Sequence, residues 1–259
     1  MFLRKFFLLI FFLNYFLNAN SNLKEILEKI IPFRADGKME IATSIKHVKL
    51  DIGLSYCAPI SQYWLKHEND LFVFAFEPNP SSISSILSGK YLDKSLIGKN
   101  FFLIPCALNL NSNSMMKFYV TSHDCGTSSL YQPLYLAVEK IIDVPVFSLK
   151  DFFDLFPFDI HPVIEHIKID AQGSDLNIAK SAQNYLQEKV IYITLEAENY
   201  HYKDTINSEK DIDNYMTGIG FIRYTSSQVY DPTYFNPKFT DYVKNNRIEV
   251  SQTDKGVNV

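Results

Sequence analysis

Residues 48–64 read VKLDIGLSYCAPISQYW. The run HVKLDIG has the pattern of a strand ending at Asp51, and SQYWLKHEN after it has that of a short helix. Between them lies Gly53, which accepts backbone angles closed to other residues and lets another group approach without a Cβ in the way. Strand, acid, glycine and helix in that order open a βα unit, and in such units ligands sit beyond the strand's carboxyl end. The full G-x-G-x-x-G fingerprint of nicotinamide dehydrogenases is absent, which speaks against that chemistry.

The same rhythm continues outward. DLFVFAFEPNP holds a buried strand at Leu71–Phe76, and PSSISSILSGKYL follows as a helix with apolar positions Ile83, Ile86 and Leu87. NFFLIPCALN and MMKFYVTS read as strands, and HDCGTSSLYQP as a loop rich in turn residues. VPVFSLKDFFDLF predicts a short strand and a helix, and IEHIKIDAQGSD a strand entering a glycine turn. LNIAKSAQNYLQE is helical, KVIYITLEAE a strand, SEKDIDNYMTGIG a helix, and FIRYTSS and PTYFNP the last strands. Upstream, NLKEILEKII (22–31) predicts a helix stopped by Pro32. Alternating strands and helices imply an α/β fold with a mostly parallel sheet and helices on both faces. No internal repeat is present. The expected organisation is a leader (1–21), an N-terminal helix and linker (22–44), one domain (45–240) and a tail (241–259).

Composition narrows the partners. The 259 residues are 47% hydrophobic and 21% charged, ordinary for a globular domain, with aromatics high at 15%. The net charge of −4 offers no basic field for nucleic acid. Cys57, Cys106 and Cys125 lack the spacing of a disulfide framework or a zinc site, and no ligand cluster demands a metal. The first residues, MFLRKFFLLIFFLNYFLNANS, combine Arg4 and Lys5 with an apolar run, Phe6–Leu17, and a small-x-small site. They read as a secretory signal peptide or a membrane anchor, so the chain is either exported or held at a membrane through residues 1–21.

Acids fall where strands end: Asp51, Glu77 and Asp170, with Glu196 and Glu198 after a later strand. A charge at the end of a central strand is costly to desolvate, so several on one edge predict a polar cleft. Glu77 follows Gly53 by 24 residues. That is the distance at which an acid accepts hydrogen bonds from a ribose diol.

Taken together, LDIG, FAFEPNP, CALN, CGTSSL and IKIDAQGSD resemble the FkbM-type methyltransferases, over about residues 45–240. The resemblance implies a Rossmann-like seven-stranded sheet with the last strand antiparallel, and S-adenosylmethionine (SAM) as cofactor. It implies that Asp51, Gly53 and Ser55 lie at the first cofactor motif and that Glu77 holds the ribose. Cys106 and Ala107 would border the adenine, and Asp170 would stand between methyl donor and acceptor. Lys168, on the same strand, matches the family lysine. Where the family's first loop has a second glycine, this chain has Cys57, which either narrows the pocket or faces the following helix.

The implied reaction is methyl transfer to a hydroxyl of a sugar or related metabolite. Asp170 is the first candidate for the polar group at the acceptor, and His123 in the SHDCGTSSL loop the second. Lys168, Gln172, Ser128 and Ser129 are candidates to bind the acceptor, a small molecule or glycan. The competing function is an exported, inactive binding protein on the same scaffold, prompted by the leader and by Cys57.

Overall fold

The structure, a computed structural model, describes residues 22–122, 126–198, 201–225 and 231–248. The leader, His123 and Cys125 lie outside the described residues. The central strand is β1 (His47–Ile52), followed by β2 (Leu71–Phe76) and β3 (Phe101–Ile104). Next come β4 (Ala107–Leu108), β5 (Asn113–Thr121), β6 (Val138–Phe147) and β7 (Ile164–Ile169). The last are β8 (Val190–Leu195), β9 (Ile222–Arg223) and β10 (Thr233–Phe235). Seven of them form one sheet in the order β3-β2-β1-β7-β8-β10-β9. Strands β3 to β8 in that order pair in parallel, and β10 runs antiparallel to both β8 and β9. This is the seven-stranded sheet with an antiparallel last strand that the family resemblance implies. The chain moves from β1 to β2 to β3 on one side, then returns to the other side of β1 as β7. That reversal leaves a crevice at the carboxyl ends of β1 and β7.

The helices are α1 (Leu23–Leu27), α2 (Pro59–His67), α3 (Pro80–Ser88) and α4 (Leu149–Leu155), then α5 (Asp175–Ser181), α6 (Gln183–Lys189), α7 (Glu209–Gly218) and α8 (Thr240–Asn246). Strand β2 shows why they lie on both faces. All six of its residues are buried, and alternate side chains point opposite ways. Leu71, Val73 and Ala75 pack with Trp64 of α2 and Ile83 and Ile86 of α3. Phe72, Phe74 and Phe76 pack on the other face with Phe102, Phe152 and Phe156. Phe74 stacks on Phe102 at 5.5 Å and meets Phe152 edge-on at 5.1 Å. Many of the phenylalanines are therefore core, each buried ring contributing about 1.5–3 kcal/mol by area.

Four elements depart from the simple reading. NFFLIPCALN is two strands, because Pro105 has no N–H to continue a ladder. After it the chain changes sheets, and β4 joins a second sheet in the order β4-β6-β5. Strand β6 begins at Val138 rather than at VPVF, with most of its first six residues exposed. LNIAKSAQNYLQE is two helices broken at Ala182 (φ −129°). There the Ser181 hydroxyl accepts from the Leu149 N–H that starts α4, tying the break to a neighbour. The helix at 22–31 ends at Leu27 and continues as turns to Ile31, whose N–H reaches the Leu27 carbonyl. Its Leu23, Ile26 and Leu27 belong to the same core as β1. Beyond residue 240, Tyr242, Val243 and Ile248 pack on Val163, Ile191 and Tyr192.

Candidate active site

The crevice at the carboxyl ends contains a cavity of about 500 Å³. The turn after β1 supplies Gly53 and Ser55, the end of β2 supplies Glu77 and Pro78, and the β3–β4 junction supplies Cys106, Ala107 and Leu108. The second sheet and its loop add Phe118, Gly126, Ser128 and Leu130. The turn after β7 closes the wall with Asp170, Ala171, Gln172 and Ser174. Gly53, Ser55, Glu77, Cys106, Ala107, Asp170, Gln172 and Ser128, all singled out from the sequence, therefore meet at one cavity. Asp51, Lys168 and Ser129 stand behind its wall, and His123 lies outside the described residues.

Gly53 is required by the protein itself. Its φ is +82°, and a Cβ there would lie 1.8 Å from the Asp170 carbonyl oxygen. Its N–H donates to the Phe76 carbonyl at 3.0 Å, while Asp170 N–H donates to the Ile52 carbonyl at 2.8 Å. The ends of three strands are thus drawn together, and any side chain at Gly53 would force them apart. Cys57, by contrast, does not line the cavity, and its carbonyl accepts from the Gln62 side chain of α2. That backbone contact ties the loop to α2.

Glu77 is 5% exposed, and its Oε1 accepts from the Asn79 N–H at 2.8 Å. Burial pushes its carboxyl up to about 8 against the hydrogen bonds from the Asn79 and Ser55 N–H groups, and the charges of Asp170 and Asp51 add to the rise. Asp51 accepts at one oxygen from both the N–H (3.1 Å) and the hydroxyl (2.5 Å) of Ser61 in α2. Burial raises it to about 6, opposed by the charge of Lys168. Asp51 thus fixes the helix that follows it and does not face the cavity.

The turn after β7 is the most densely bonded part. Lys168 Nζ donates to Asp170 Oδ2 at 2.5 Å. Burial alone would lower the Lys168 ammonium, but Asp170, Asp231 and Glu196 hold it above its ordinary range. Gln172 (φ +50°) donates to Asp170 Oδ1 at 2.7 Å and to Glu196 Oε2 at 2.5 Å. Asp175 accepts from the Ala171 and Gly173 N–H groups, each at 3.2 Å, and burial raises it to about 7. Ser129 Oγ donates to the Gln172 carbonyl at 2.7 Å, so this serine shapes the turn from behind the cavity wall. Ser128 accepts from the Thr121 N–H at 3.1 Å.

Three contributors carried no assignment from the sequence. Asp175 was visible only as the last letter of QGSD. Glu196 was visible as a strand-end acid. Tyr202, whose hydroxyl donates to Gln172 Oε1 at 2.6 Å, lies in a segment with no periodic signal. Among the described residues no group of His, Cys, Asp and Glu is arranged to hold a metal ion. No helix among them is long and apolar enough to cross a membrane.

Residues 56–223 match the methyltransferase FkbM domain. The chain belongs to the FkbM methyltransferase family. No curated protein matches the sequence. Among solved structures it is similar to an FkbM methyltransferase from Methylobacillus flagellatus KT, with 18% identity and a TM-score of 0.43. That alignment covers 79% of this chain but 46% of the other, so this FkbM chain spans less than half of that protein's length. A precorrin-6y C5,15-methyltransferase from Geobacter metallireducens GS-15 matches at 15% identity and TM-score 0.40, covering 73% of this chain and 80% of that one. The N-terminal domain of human METTL16 in complex with SAH matches at 8% and 0.37, covering 75% and 62%.

Proposed function

We propose that the protein is a SAM-dependent methyltransferase acting on a hydroxyl of a sugar or other small metabolite. The observation that carries this reading is the cavity's composition. A buried carboxyl at the end of β2 and a partly exposed one at the turn after β7 share one chamber whose remaining wall is largely apolar.

The residues present fit the cofactor. Glu77 keeps acceptor capacity for a ribose diol beyond its bonds from the Asn79 and Ser55 N–H groups. Pro78, Leu108 and Phe118 offer apolar surface for a flat base. The Ser174 hydroxyl in this wall is buried and has no partner among the described residues, a cost that a bound group would relieve. When bound, SAM supplies a methyl group on a positively charged sulfur, which leaves with its bonding pair as the acceptor oxygen takes the methyl. The protein's part is to bind and orient. Gly53 and the stapled strand ends set the floor, Glu77 fixes one end, and Asp170, held by Lys168 and Gln172, presents a carboxylate at the other.

The test is incubation with methyl-labelled SAM and a panel of sugars, glycosides, amines and thiols. Label is expected on a hydroxyl compound, and Glu77→Ala is expected to reduce transfer at least ~tenfold through lost cofactor binding. Transfer to amines or thiols alone would overturn the hydroxyl assignment.

A further inference from the structure

Gln172 spends its whole side chain inside the protein. Its Nε2 donates to Asp170 and to Glu196, and its Oε1 accepts from Tyr202. Both N–H donors of the amide are used. Its backbone sits at φ +50°, a region that non-glycine residues rarely occupy, and is pinned there by Ser129. A side chain so engaged is a clamp on two carboxyls rather than a ligand for the acceptor. One nitrogen within hydrogen-bond reach of both acids, at 2.7 and 2.5 Å, sets Asp170 and Glu196 side by side. Two carboxylates held this close repel when both are ionised, and a single proton between them relieves the repulsion.

We infer that Asp170 and Glu196 hold one proton between them, and that this clamped pair receives the proton released by the acceptor hydroxyl. The inference rests on the methyltransferase reading. Asp170 lines the cavity, with its side chain 29% exposed, and is the member that meets the acceptor. Glu196 acts through Asp170 and is a positioning residue. The surroundings decide where the proton rests. Burial, then the charge of Asp170, push Glu196 well above the ordinary carboxylate range. Burial would raise Asp170 too, but Lys168 and the bonds from Glu196 and Gln172 outweigh it and hold Asp170 below that range. Asp175, Tyr202, Glu198 and Asp231 also face this group. A hydroxyl oxygen holds its proton only weakly once it is alkylated, so even a weakly basic carboxylate takes it downhill. The pair gives up its shared proton to water as the sulfonium charge arrives and regains one from the acceptor hydroxyl as that charge is lost, which suits a neutral hydroxyl that loses one proton per turnover.

The pair can be tested without knowing the acceptor. The full-length protein is titrated calorimetrically with SAM and with SAH, each in two buffers of different ionisation heat, across a range of pH. The difference between buffers counts protons released. SAM carries a sulfonium charge that SAH lacks, and that charge favours the ionised pair. SAM is expected to release more protons than SAH in the wild type. Glu196→Gln should abolish that excess while leaving SAH affinity within about threefold, since the amide keeps the shape of the acid. Asp170→Asn should abolish it as well, which decides the matter if the first variant does not fold. Equal proton counts for the two ligands in the wild type would overturn the inference. So would an undiminished excess in either variant. Failure of the wild type to bind either ligand would instead overturn the cofactor reading beneath it.

Discussion

His47 and Lys49, near the amino-terminal end of the sheet, each face a carboxylate, whereas at the carboxyl end Lys168 stands among five acids. In the first region His47 Nδ1 lies 2.6 Å from Glu165, and Lys49 pairs with Glu68 beneath the ring of Trp64. His166 beside them hydrogen bonds Thr194 at 2.8 Å, and burial followed by the Lys49 and Lys168 charges pushes it down to about 3. In the second region Asp51, Asp170, Asp175, Glu196 and Asp231 all interact with the Lys168 charge, and Glu77 beside them feels Asp170 and Asp51. Balanced pairs are a structural device. An excess of acids whose protons are held by burial is poised to give them up when a cation arrives, as the sulfonium of the proposed cofactor would.

The comparison breaks first at its lysines. Lys168→Met leaves the acid group with no cation and is expected to cost about 3–5 kcal/mol, as loss of one partner of a buried pair does. Lys49→Met leaves only Glu68, whose side chain is 24% exposed, and should cost clearly less. Urea unfolding at neutral pH compares them, and equal losses would mean that the two regions are the same kind of structure.

The two regions should also respond oppositely to pH. Glu77, Asp175 and Asp51 have raised values in the folded state, so their contribution is full below the ordinary carboxylate range. It is lost as pH rises through about 6, 7 and 8 in turn. His166 is lowered, so its contribution is full above 6.5 and is lost as pH falls toward about 3. Each group adds a slope of at most ~1.4 kcal/mol per pH unit within its window. Stability curves of the ligand-free protein should therefore fall on the alkaline side, and Glu77→Gln should flatten that limb. An unchanged limb in Glu77→Gln would remove Glu77 from the account. The smallest effect is expected at the departure in the first loop. Cys57→Gly restores the family's glycine outside the cavity wall, so SAM affinity should change by less than about threefold, below what one lost hydrogen bond costs. A large gain would show that Cys57 obstructs the site.

Much of this was legible in the sequence because strand ends and periodic cores write themselves locally. LFVFAF, HVKLDIG and IEHIKID announced the central strands, and their terminal acids announced the crevice. The second sheet was harder to see, since the first half of β6 is exposed on both faces and shows no alternation. Pro105 marked a break but not a change of sheet. Gln172 read as a substrate ligand because its turn sits at the cavity. That its amide is consumed by Asp170, Glu196 and Tyr202 depends on residues 24 and 30 positions away, which no local pattern carries. The purpose of Gly53 was likewise half visible: the need for no Cβ was plain, but the obstacle is the carbonyl of Asp170.

The most direct test of the central claim is calorimetric titration of the full-length protein with SAM, beside Glu77→Ala. The account predicts one SAM per chain, bound in the micromolar range, with binding weakened at least ~tenfold in a folded Glu77→Ala protein. A folded wild type that binds no SAM, or a Glu77→Ala variant that binds it equally well, would contradict the account.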